Sequence, residues 1–136
     1  MNRKDLFILA KDAMKNSYAP YSNYNVGAAL LCKSGNTYKG CNIENASYSL
    51  TNCAERTAIF SAVASGEKEF EAICIVGGKN GVITDFAMPC GVCRQALAEF
   101  CDADFKVYVG ISEDEIKEFT LGELLPYSFD KSKLGE

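Results

Sequence analysis

Three thiols and one carboxylate are spaced so that they could act together. Cys53 and Glu55 lie in the run Cys53-Ala54-Glu55-Arg56, and Cys90 and Cys93 lie in Pro89-Cys90-Gly91-Val92-Cys93. A C-x-x-C pair alone is weak evidence, because dithiol redox centres and structural zinc half-sites share it. The third thiol sharpens the pattern. Cys53 and Cys90 both stand at predicted helix starts, where free N–H groups and the positive dipole end favour thiolate over thiol. Three thiolates bind Zn²⁺, and a catalytic zinc has three protein ligands and one open position. Cys53, Cys90 and Cys93 are therefore the candidate ligands of one Zn²⁺ per subunit. Residues i and i+2 do not share a helix face, so Glu55 reads as a proton shuttle for a water at the open position rather than as a ligand.

Charge adds a further demand. A dication with three thiolates carries −1, which weakens its Lewis acidity and raises the pKa of its water above the usual ~7. A neighbouring cation would offset this, and Arg56, three residues after Cys53, is better placed than Arg94, which follows Cys93. Either could instead pair with a surface carboxylate, Arg94 more readily. A closed structural zinc would need a fourth ligand from Cys32, Cys41, Cys74 or Cys101, which read better as small buried hydrophobes. A dithiol redox pair would leave Cys53 and Glu55 without a role.

Composition narrows the alternatives. The chain has 136 residues and no histidine, which excludes Ser-His-Asp and Cys-His nucleophile systems and the H-E-x-x-H zinc helix. Any transition metal must then rest on Cys, Asp or Glu. Seven cysteines cannot all pair within one chain. The apolar run Leu6–Ala10 is broken by Lys11 and Asp12, too short for a signal peptide, and the uncharged stretch Asn16–Cys32 is too polar to span a membrane. A reduced, cytoplasmic protein is expected. A net charge of −4 without a basic stripe disfavours nucleic-acid and anionic-membrane binding, so a small neutral ligand is expected. The length suits a single domain over 1–136.

The elements that must position these residues follow from periodicity. Leu6, Leu9, Ala10, Ala13 and Met14 share a helical face, predicting a helix over 4–17 that the Tyr18-Ala19-Pro20 stretch stops. Strands are predicted over 24–33 and 37–43, joined at Ser34-Gly35-Asn36. A helix is expected from Cys53 to Ser65, capped by Thr51 or Asn52 and closed by Gly66. The apolar run 71–77 reads as a strand buried on both faces, and 78–88 as a loop. A helix over 90–102, strands over 105–111 and 116–120 and a short helix over 121–125 complete an α/β pattern, with helices covering both faces of the sheet.

The combined motifs resemble the cytidine deaminase family, in its short, homotetrameric, zinc-dependent form with three cysteine ligands. The resemblance covers nearly the whole chain. It is densest at 42–48 (Asn-Ile-Glu-Asn-Ala-Ser-Tyr), 52–58 (Asn-Cys-Ala-Glu-Arg-Thr-Ala), 89–95 (Pro-Cys-Gly-Val-Cys-Arg-Gln) and 123–126 (Glu-Leu-Leu-Pro). It implies a three-layer α/β/α domain with a mixed, mostly five-stranded sheet. It also implies hydrolysis of cytidine and 2′-deoxycytidine in pyrimidine salvage, with Glu55 moving the proton, and active sites completed across a homotetramer. Deamination of another cytosine nucleoside, such as an antibiotic, and a non-catalytic zinc scaffold are the competing readings.

The resemblance places Asn42 and Glu44 at the ribose hydroxyls, and period-2 alternation puts both on one face. Tyr24 stands where the family often carries a phenylalanine near the base; a strand-edge aromatic is the plainer alternative. The resemblance implies that Ala54 belongs to the same substrate pocket. Ala46, Tyr48 and Phe129 resemble residues that complete a neighbouring subunit's pocket, although Phe129 could equally be a packing residue of the tail. The 36 residues between Cys53 and Cys90 exceed what the family leads one to expect. The excess falls in 77–88 and is expected to alter rim contacts.

Overall fold

The computed structural model describes residues 1–134. The chain runs α1 (Arg3–Met14), β1 (Tyr24–Cys32), β2 (Thr37–Cys41), α2 (Ala54–Ala64), β3 (Phe70–Lys79), α3 (Gly91–Phe100), β4 (Lys106–Ser112), β5 (Glu115–Thr120) and α4 (Leu121–Leu124). Single 3₁₀ turns at Tyr48–Leu50 and Lys131–Leu134, unforeseen from periodicity, fall in the connections. The five strands form one mixed sheet in the order β2-β1-β3-β4-β5. Only β3 and β4 pair in parallel, with α3 in the crossover between them.

Alternation along the strands builds two cores. Ala28 and Leu30 of β1 and Ile73 and Ile75 of β3 face Ala58, Ile59 and Ala62 of α2 and Leu97 of α3. Their neighbours Ala29, Leu31, Ala72, Cys74 and Val76 face Leu6, Phe7, Ala10 and Met14 of α1. The fold is thus three-layered, and the unbroken apolar run of β3 reflects burial on both sides. Burying each large aliphatic chain contributes about 1.5–3 kcal/mol.

Element ends differ from expectation for identifiable reasons. The first helix stops at Met14 rather than 17, and an Asn2–Asp5 capping box starts it. Beyond Met14, Ser17 donates its hydroxyl to Asn42 Oδ1, in the segment that follows β2 rather than along the helix. The second strand ends at Cys41 rather than 43 because Ile43 bridges instead to Tyr18 and Asn52. Neither Thr51 nor Asn52 caps α2. Cys53 occupies that position in an extended conformation, and its side chain makes no capping bond.

Two glycines let helices approach the sheet. A Cβ on Gly27 would lie 2.1 Å from the Ala10 carbonyl oxygen, and one on Gly40 would lie 2.4 Å from that of Ala54. These contacts bring α1 and α2 directly onto β1 and β2, and α2 carries the site. Gly35, at φ 94° in the hairpin turn, has open space around it. Gly27→Ala and Gly40→Ala are expected to destabilise the fold by about 3 kcal/mol or more through overpacking. Gly35→Ala should cost only the backbone strain, about 1–2 kcal/mol. Chemical denaturation of the three variants checks the ranking, and equal losses would contradict the close approach.

Candidate active site

The reactive residues collect at one end of the strands, where β1 begins and β2 and β3 finish. Tyr24 opens β1 opposite Lys79, the last residue of β3, while Asn42 and Glu44 follow the end of β2. The N-termini of α2 and α3 converge there as well. Cys90 caps α3 as Cys53 caps α2, extended and without a side-chain capping bond. A serine or aspartate would spend its oxygen on a helix N–H at such a position. The two sulfurs are free of that duty and point at each other.

Cys53 Sγ lies 3.7 Å from Cys90 Sγ, and Cys90 Sγ lies 3.4 Å from Cys93 Sγ. All three sulfurs fall within 4.8 Å of one another. Zn–S bonds of about 2.3 Å in a tetrahedron place sulfurs about 3.8 Å apart, so the trio suits one Zn²⁺ with a fourth position open. Among the described residues this is the only such cluster of potential ligands. Of the other cysteines, Cys32 and Cys74 are buried and Cys41 and Cys101 half-buried, all unpaired. Burial pushes the Cys74 and Cys101 thiols up to about 12.

Negative charge concentrates on Cys53. Hydrogen bonding from Cys93 first, then from Arg56 and Cys90, lowers its pKa to about 5. Cys93 moves upward because it keeps the proton that it shares with Cys53 and because it is buried. An Arg56 Nη lies 3.5 Å from Cys53 Sγ and donates to the Thr51 carbonyl at 3.3 Å. Its buried Nε has no partner among the described residues. The guanidinium therefore serves the thiolate cluster and no surface carboxylate. Arg94 lacks a carboxylate too, but for a different reason: it donates to the backbone carbonyls of Pro89 at 2.8 Å and Leu124 at 2.7 Å.

Glu55, in the first turn of α2, is 4% exposed. Burial pushes its carboxyl up to about 7, with the Cys53 charge adding to the rise and its own backbone N–H opposing it. An acid half-ionised near neutrality can both take and return a proton.

A cleft of about 320 Å³ joins these groups, and Tyr24, Asn42, Glu44, Cys53, Ala54, Glu55 and Cys90 all line it. Asn42, 8% exposed, accepts at Oδ1 from Ser17 and from the Val26 N–H at 2.9 Å, and donates through Nδ2 to the Tyr24 carbonyl at 2.8 Å. Glu44 Oε1 accepts the N–H groups of Tyr21 at 3.0 Å and Ser22 at 3.1 Å. The Ser22 hydroxyl donates to Oε2, and these bonds, led by that hydroxyl, hold the carboxylate below its ordinary pKa.

The remaining expected pocket residues stand apart. Tyr48, 74% exposed, meets Tyr21 edge-on at 6.1 Å and borders a neighbouring hollow with Glu44. Ala46 is exposed and outside the cleft lining. Phe129 is 64% exposed, and its carbonyl accepts from Gln95 Nε2 at 2.7 Å. Sequence reasoning missed Ser17 and Ser22, whose partners lie 25 and 22 positions away. It also missed the wall formed by Phe86, Ala87 and Met88, in the longer segment expected to form the rim.

This three-layer fold, with three thiols at paired helix starts and a buried acid beside them, has the form of an α/β enzyme with a cysteine cluster able to hold a metal ion. Residues 1–110 match the family described as the cytidine and deoxycytidylate deaminase zinc-binding region, and the chain belongs to that family. It is 46% identical over 134 residues to a cytidine deaminase from Sporosarcina psychrophila, covering 98% of this chain and 96% of that protein. It is also 46% identical over 136 residues to one from Halalkalibacterium halodurans, with full coverage of both. The crystal structure of cytidine deaminase from Burkholderia pseudomallei superposes with a TM-score of 0.87 at 44% identity, covering 95% of this chain and 100% of that one. No helix of the described residues is long and apolar enough to cross a membrane.

Stripping metal from the protein should expose Cys53 as a fast-reacting thiolate. Its labelling rate should stay flat from about pH 8 to 6 and fall as pH drops through about 5, because only the thiolate is nucleophilic. Cys74 should stay inert across that range. Time-resolved alkylation with peptide mapping, with and without added Zn²⁺, reads this directly; equal rates at the two positions would refute the charge assignment.

Proposed function

We infer that this protein is a cytidine deaminase, hydrolysing cytidine and 2′-deoxycytidine to uridine and 2′-deoxyuridine with release of ammonia. The observation that carries this reading is the buried Glu55 carboxyl beside three convergent thiols, in a cleft that Asn42 and Glu44 also line. Zn²⁺ held by Cys53, Cys90 and Cys93, one per subunit, would supply the Lewis acidity that makes water nucleophilic at neutral pH.

The chain's own residues do the rest. Glu55 takes a proton from the attacking water, delivers it to ring nitrogen 3 of cytosine, and assists departure of the amino group as ammonia. Burial serves this cycle by holding its pKa near the working pH, so one carboxyl can act as base and then as acid. Arg56 offsets the net negative charge of a three-thiolate centre. Tyr24 and Ala54 border the base, and Asn42 and Glu44 receive the sugar hydroxyls. A charged Glu44 repels a phosphate at the sugar, which favours free nucleosides over 3′-phosphorylated ones and over polynucleotides.

Oligomerisation belongs to the same reading. The exposed Ala46, Tyr48 and Phe129 are suited to reach a neighbouring subunit's cleft in a homotetramer, with residues 1–136 acting as one domain in each subunit. Seven unpaired cysteines suit a reducing compartment such as the cytoplasm, where nucleoside salvage takes place.

Glu55→Gln should retain zinc and bind cytidine yet lose turnover by at least about 10³-fold; near-native turnover would remove Glu55 from its role. An ammonia-release assay across cytidine, 2′-deoxycytidine, a cytidine 3′-phosphate and adenosine should show turnover of the first two only. Absence of turnover with all four would leave a zinc-binding scaffold. Phe129→Ala should raise KM for cytidine several-fold, and sedimentation should show a tetramer; a fully active monomer would overturn the shared-site reading.

A further inference from the structure

Asn42 has four hydrogen-bonding positions, and three protein partners engage it. Its Oδ1 accepts from the Ser17 hydroxyl and from the Val26 N–H at 2.9 Å, and Nδ2 donates one hydrogen to the Tyr24 carbonyl at 2.8 Å. What remains for the cleft is a single N–H. The acceptor side of the amide is already occupied, so Asn42 can meet a sugar hydroxyl only as a donor. Glu44, with its carboxylate charged and Oε2 taking one bond from Ser22, keeps acceptor capacity. Side by side, the two residues present one donor and one acceptor, the complement of a hydroxyl, which needs both.

The Ser17 hydroxyl has its direction set from behind. Asn25 Nδ2 donates to Ser17 Oγ at 3.1 Å, so the serine's only hydrogen goes to Asn42 Oδ1. Asn25 lies on β1 and Ser17 beyond the end of α1, and neither lines the cleft.

We propose that Asn25 and Ser17 are positioning residues, a two-step hydrogen-bond relay that locks Asn42 as a donor toward the sugar and thereby sets the enzyme's demand for a hydroxyl. Bonds in such a chain polarise one another, so the relay also strengthens the outward N–H. The proposal rests on the assignment of Asn42 and Glu44 to the sugar, and its test separates the two.

The experiment is steady-state kinetics of the zinc-loaded wild type, Ser17→Ala, Ser17→Thr and Asn25→Asp. The substrates are cytidine, 2′-deoxycytidine and 3′-deoxycytidine. The wild type should disfavour at least one deoxy analogue by about a hundredfold in kcat/KM, because a missing hydroxyl leaves the remaining N–H of Asn42 and an acceptor position of Glu44 unpaired. Ser17→Ala should narrow that ratio by about fivefold to tenfold, through a higher KM for the hydroxyl-bearing substrate, with kcat within about threefold. Ser17→Thr, which keeps the hydroxyl, should restore it. In Asn25→Asp the carboxylate cannot donate, so it draws the serine hydrogen away from Asn42 and should narrow the ratio as Ser17→Ala does.

General destabilisation would scale all substrates together and leave the ratio unchanged. If Ser17→Ala does not fold, the near-isosteric Asn25→Asp decides. A wild-type ratio retained in the variants overturns the relay alone. A wild type that rejects neither deoxy analogue overturns the sugar assignment and the relay with it.

Discussion

Three sulfurs held within 4.8 Å of one another cannot all carry charge unaided, and most of the site's architecture answers that constraint. Like charges at this separation raise one another's pKa. Without an ion the charge is favoured on Cys53, while Cys93 is held toward its protonated form. A bound dication would ease the conflict by offsetting two of the three charges in place. The two helix N-termini and the Arg56 guanidinium add positive potential from behind. That potential requires α2 to sit close, which the bare Gly40 beneath it permits. A close approach on one face of β2 and a charge balance at its end are thus parts of the same device.

The cleft sets two carboxylates in different surroundings. Glu55 is buried beside the sulfurs, and loss of water lifts its carboxyl to about 7. Glu44 is half-buried and wrapped by two N–H groups and a hydroxyl, which hold its pKa below the ordinary value. Two glutamates eleven residues apart therefore differ in protonation behaviour through environment alone, one suited to passing protons and the other to accepting bonds and excluding anions.

Much of this was legible along the chain because it depends on short-range rules. The apolar run at 71–77 read as a strand covered on both faces, and it lies within β3, buried on both sides from Ala72 onward. Period-2 spacing put Asn42 and Glu44 on one side, and both line the cleft, although the ladder itself stops at Cys41. The cap of α2 was misread because capping preferences rank Ser, Thr, Asp and Asn above Cys. At Cys53 the sulfur is reserved for its neighbours, and Thr51 and Asn52 are drawn into other bonds. Thr51 accepts from the Asn45 N–H, and Asn52 pairs with Ile43 and donates to Thr57.

By itself the sequence determined the chemistry available. With no histidine, any transition metal had to rest on Cys, Asp or Glu, and three cysteines at helix starts with Glu55 beside one of them made the candidate set. Residue types and local spacing suffice for that, since ligand softness and helix dipoles are properties of short segments. Only the tertiary structure decided how those groups are tuned: which cysteine holds the charge, how far burial lifts Glu55, and which atom of Asn42 faces the cleft. Those outcomes depend on desolvation and on partners 25 to 37 residues away, such as Asn42 across from Ser17 and Cys90 across from Cys53. No local pattern encodes them, because they arise only where separate elements meet.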